Sequence, residues 1–97
     1  MNQILEYNFS CKKDSFMAGL DLEYFDKALF AKVIRCIRTV EFSKRNAYMI
    51  RYIESRVLIC LMATFDSDDL SSIKNIDELD ISDIIDQLEG AISCFYS

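Results

Sequence analysis

Proline is absent from this chain and glycine stands at only two positions, Gly19 and Gly90. Tight hairpin turns depend on residues that reach positive φ or fix φ in advance, so a many-stranded sheet would lack its corners here. The backbone is steered toward helices. Apolar residues make up 52% of the chain and aromatic ones 12%, enough to bury a core. At 97 residues, the length suits a single domain spanning 1–97.

The hydrophobic spacing predicts an all-α bundle of three main helices, over about 21–42, 44–65 and 80–95, with an extended N-terminal arm. Asp21 is a candidate N-cap for the first. Leu22, Phe25, Leu29, Val33, Cys36, Ile37 and Val40 then recur at three- and four-residue spacing. Ser43 is a candidate cap for the second, whose apolar face runs through Met49, Ile50, Ile53, Val57, Cys60 and Leu61. Its second half is apolar all round, which predicts a buried centre. For the third, Asp80 is read as the cap, with Asp83 at the third helical position and a stripe of Ile81, Ile84, Ile85, Leu88, Ile92 and Phe95. Leu5, Tyr7, Phe9 and Cys11 alternate with polar residues, the period of a half-buried strand, so the first eleven residues are read as an arm. The competing α+β reading places strands near 4–11, 33–42, 47–53 and 57–65, all rich in β-branched and aromatic residues.

Histidine is absent, which removes Ser-His-Asp triads, Cys-His nucleophiles and histidine metal sites in one step. Phosphate-cradling loops need clustered glycines, and Gly19 and Gly90 lie far apart. Cys11, Cys36, Cys60 and Cys94 form no C-x-x-C pair, so four reduced thiols are expected rather than a zinc site or disulfides. Asp66, Asp68 and Asp69 resemble the opening of a calcium loop, but Ser71 and Asp77 stand where such a loop needs Gly and Glu. No cofactor, no metal and no catalytic residue is expected. No membrane span is expected either, because the longest near-apolar run, Val57 to Phe65, is about half of the roughly 20 residues needed. With no signal peptide in the first residues, a cytoplasmic location is expected.

Charge is segregated along the chain. Residues 1–56 carry a net +3 and residues 57–97 a net −8, within a total of −5. The acidic candidates are Asp66, Asp68, Asp69, Asp77, Glu78, Asp80, Asp83, Asp86 and Glu89. They predict a surface that captures a basic protein, because complementary charge speeds association and suppresses wrong partners. Small size and the absence of catalytic groups fit an inhibitor or immunity protein that neutralises a basic nucleic-acid-processing toxin or nuclease. The alternative is a homo-oligomeric adaptor or regulatory subunit, such as a homodimer. Arg45, Tyr48, Tyr52 and Arg56, with Lys44, form a basic and aromatic stripe on the second helix, a second candidate interface. Direct nucleic-acid binding is not expected, because the net negative charge repels phosphate.

Overall fold

A computed structural model of the chain describes residues 3–22, 24–65 and 75–97. The described residues form five helices joined by turns, with no strand among them: α1 (Gln3–Phe9), α2 (Phe16–Asp21), α3 (Lys27–Thr39), α4 (Lys44–Phe65) and α5 (Glu78–Tyr96). The all-α reading holds. The segments 33–42, 47–53 and 57–65, rich in β-branched residues, lie mainly in α3 and α4. Their side chains bury at three- and four-residue spacing rather than on alternate positions.

The N-terminal arm is corrected to a helix. Its buried residues are Leu5 and Asn8, with Phe9 half-buried, while Tyr7 is exposed. That is helical spacing. The period-2 signal misled because the residue completing the buried face is polar: Asn8, 4% exposed, donates from Nδ2 to Ile4 O and accepts at Oδ1 from Met17 N. Asn8 thereby ties α1 to α2. Cys11 and Asp14, both at positive φ (49° and 68°), turn the chain between these helices. Ser15 caps α2 by accepting from Ala18 N.

Two helix starts also shift. The cap of α3 is Asp26, which accepts from Leu29 N, rather than Asp21. Leu22, expected on the buried face, instead ends α2 and is 80% exposed. The cap of α5 is Asp77, three residues before Asp80. Asp77 accepts from Asp80 N, and Asp80 accepts from Asp77 N, so two free backbone donors are satisfied reciprocally. Ser43 caps α4 as expected, accepting from Asn46 N.

Helices α3 and α5 run in the same direction. Lys27 lies near Asp80 at their starts, and Arg38 O accepts from the Cys94 thiol at their ends. Helix α4 starts at the end of α5, where Phe42 packs on Phe95 and Tyr96 and Arg51 donates to Tyr96, and runs on to the end of α2, where Arg56 meets Asp21. The shared core draws Phe30, Val33 and Ile37 from α3, Ile50, Ile53 and Val57 from α4, and Ile84, Leu88 and Ala91 from α5. Phe16, Phe25 and Phe30 close one end of it, with ring centroids 5.0–5.3 Å apart. Asn75 fastens the entry to α5 onto the entry to α3, bonding both Phe25 N and Phe25 O at 2.8 Å.

Candidate functional site: two helix surfaces

Asp66, Asp68 and Asp69, with the calcium-loop resemblance, lie outside the described residues. Glu78 lies in the first turn of α5. Asp77 and Asp80 are engaged in the capping box, and Lys27 Nζ comes within 3.9 Å of Asp80. Asp83 accepts from Gln87 Nε2 one turn on. Asp86 and Glu89 are exposed, and among the described residues neither makes an ion pair within 4.0 Å, although the Arg38 guanidinium lies against Gly90 beside them. The acidic set therefore divides into carboxylates that build the helix start and a smaller group, Asp83, Asp86 and Glu89, that projects from α5.

The stripe on α4 is brought together as a surface and enlarged. Tyr48 is 66% exposed, and Ile59 and Met62, expected in a buried centre, are 59% and 71% exposed. The second half of α4 is thus buried along one side only, by Val57 and Leu61. Arg45 and Arg56 border the stripe toward α1 and α2, while Arg51 borders it toward α5.

Every one of these arginines is paired within the chain. Arg45 Nη2 donates to Glu6 Oε1 of α1. Arg51 lies 3.5 Å from Glu54, sits over the Tyr96 ring at 5.2 Å and donates to the Tyr96 hydroxyl. Arg56 Nη2 lies 2.8 Å from Asp21 Oδ1 at the end of α2. Burial pulls the Arg56 guanidinium down, but the Asp21 hydrogen bond and charge outweigh it and leave it raised. Phe9 meets Tyr48 and Tyr52 edge-on, at centroid distances of 5.6 and 4.9 Å. The carboxylate partners Glu6 and Asp21 escaped the sequence reading because each sits on a helix it did not predict.

None of the four cysteines, all among the described residues, forms a disulfide. Cys36 is buried, Cys11 and Cys60 are half-buried, and Cys94 is exposed. Burial, the largest cause, raises the Cys11 and Cys60 thiols above their ordinary range, with Asp21 adding to the rise and Arg56 opposing it. A groove of about 240 Å³ between α1, α2 and α3 is lined by Tyr7, Asn8, Phe16, Leu29 and Val33. It is smaller than the roughly 300–1,000 Å³ of ordinary ligand pockets, and both polar ends of Asn8 are already bonded.

Among the described residues, no helix is long and apolar enough to cross a membrane, and no group of histidine, cysteine or carboxylate side chains is arranged to hold a metal ion. No family model matches the chain, and no curated protein or solved structure matches it either.

Proposed function

We propose that this chain is a small non-catalytic protein-binding module that holds a basic protein surface against the carboxylates of α5. An inhibitor or immunity protein acts in this way on a nucleic-acid-processing toxin or nuclease. The observation that carries the reading is that Asp86 and Glu89 are exposed without an ion pair of their own among the described residues, beside exposed Asp83 and Asp77. Mutual repulsion along one helix costs stability, and a basic surface opposite relieves it. The same charges steer a cationic partner in and speed its capture. A second reading, a homo-oligomeric adaptor or regulatory subunit, is carried by a different surface, the apolar stripe of α4.

The test is inhibition. The chain is titrated into a panel of basic nuclease domains, and the association rate with any that it blocks is followed over a salt series. Asp83→Lys combined with Asp86→Lys changes two exposed positions, so the melting curve should show α5 intact. Binding should slow as salt rises, because the Debye length is only about 8 Å at physiological ionic strength. The double variant should associate more slowly and with a flatter salt slope. A folded double variant that inhibits as fast as the parent, with the same slope, moves the binding surface away from α5.

A further inference from the structure

We infer that the outward face of α4 holds a second copy of this chain, as an antiparallel pair of α4 helices related by a two-fold axis at Ser55. The inference rests on the homo-oligomeric reading of this face, and it shares only Glu89 with the acidic-surface reading. Its first support is spacing. Tyr48, Tyr52, Ser55, Ile59 and Met62 follow one another at four, three, four and three residues, the seam of a two-helix coiled coil. Ser55 lies at the midpoint, with Tyr48 and Met62 seven residues to either side. A two-fold axis there seats Tyr48 of each copy against Met62 of the other, and brings Tyr52 to the level of Leu58, one residue from Ile59. Two-fold interfaces demand such self-complementarity, with one patch meeting itself.

The second support is charge. Bringing two arginine-bordered faces together would be repulsive if the arginines were bare. Here Arg45 and Arg56 are already neutralised by Glu6 and Asp21. An acidic or nucleic-acid partner would have to compete with Glu6 and Asp21 for Arg45 and Arg56, whereas a second copy leaves those two pairs untouched and adds a carboxylate only at Arg51, beside Glu54.

The third support is a charge that the pairing satisfies. Phe42 and Arg51 meet Phe95 and Tyr96, so the start of α4 lies at the end of α5. Glu89 stands two helical turns before Tyr96 on α5 and Leu58 two turns beyond Arg51 on α4, so the proposed pairing takes Glu89 to lie toward Leu58. The two-fold axis carries Arg51, four residues before Ser55, to the level of position 59 in the other copy. Glu89 of that copy, without an ion pair of its own among the described residues, is then the carboxylate at hand. Asp77, Asp83 and Asp86, toward the other end of α5, stay clear of this pairing.

The test is the mass of the full chain by light scattering and sedimentation equilibrium, from low micromolar to near-millimolar concentration. A dimer of the 11.3 kDa chain is expected. Ile59→Asp, at an exposed position, should keep the helical spectrum of the parent and raise the dimer dissociation constant by more than about tenfold. Should it fail to fold, Met62→Asp serves in its place. Arg51→Glu and Glu89→Arg should each weaken the dimer, and the two together should restore it to near the parent value. A chain that stays monomeric throughout overturns the inference, as does a dimer indifferent to Ile59→Asp and Met62→Asp. A doubly swapped variant no tighter than the single ones overturns the two-fold axis at Ser55. Loss of a heterologous protein on Ile59→Asp in a monomeric chain assigns the face to that protein instead.

Discussion

Asn75 fastens two distant parts of the chain with one side chain. Its amide bonds both the N–H and the C=O of Phe25 at 2.8 Å, fifty residues away in sequence. Phe25 itself is 2% exposed, at the centre of the Phe16 and Phe30 ring cluster. Asn75→Ala removes two hydrogen bonds, each worth about 1 kcal/mol net. Asn75 is exposed, so water can reach the freed backbone groups, and the expected loss is about 2 kcal/mol rather than the larger cost of two stranded groups. For a chain of 97 residues this lowers the melting temperature by roughly 10 °C. Asn75→Asp separates the two bonds. At neutral pH its carboxylate still accepts from Phe25 N–H but faces Phe25 C=O with a second acceptor, so the variant should be at least as unstable as Asn75→Ala. A protonated carboxyl has an O–H to donate, so this carboxyl holds its proton more tightly folded than unfolded. Its deficit against the parent should therefore shrink as pH falls toward and below about 4. Urea unfolding followed by far-ultraviolet circular dichroism, with parent and variants compared at each pH, measures both effects. An Asn75→Ala variant within about 0.5 kcal/mol of the parent, or an Asn75→Asp deficit that ignores pH, would refute the clamp.

Two further expectations concern stability and the thiols. Gly90→Ala in the exposed interior of α5 should stabilise by about 0.5–1 kcal/mol in thermal melts. The added Cβ meets only the Arg38 Nη2 tip at 3.3 Å, and a loss of stability would show that Arg38 cannot move aside. Among the thiols, Cys94 should react first in the folded protein and Cys36 only on unfolding, as mass spectrometry of a timed alkylation would show. Cys11 and Cys60 bind their protons more tightly folded than unfolded, so their contribution to stability is complete below about pH 9 and declines above it. Replacing both by Ala should flatten that alkaline decline, and an unchanged decline would assign it to other groups.

The parts of the fold that could be read from the chain are those whose burial is purely apolar. The stripe from Ile81 to Phe95 and the run from Met49 to Leu61 appear at helical spacing, and both are helices with those residues inward. Helix α1 was hidden because Asn8 completes its buried face through hydrogen bonds, which hydropathy does not register. Helix α2, with six residues, is too short to display a period. Either Asp21 or Asp26 could begin α3, and only the exposed Leu22 between them decides for Asp26. The candidate surfaces follow the same division. Arg45, Tyr48, Tyr52 and Arg56 were visible as a stripe on one helix. That Glu6 and Asp21 neutralise its arginines depends on contacts 39 and 35 residues apart in sequence, which no local pattern reveals.

The parallel course of α3 and α5 has a consequence for how the chain is made. A ribosome delivers α3 well before its main packing partner α5, and the contacts that join them, Phe25 with Asn75 and Arg38 with Cys94, span 50 and 56 residues. Until α5 emerges, the side of α3 that will meet it has no cover, and the nascent chain must keep that apolar surface from other chains while α4 turns back. Closing so long a loop before its contacts can form also slows folding relative to a bundle whose neighbours are adjacent in sequence. The emergence of α5 is thus the step that completes the core around α3.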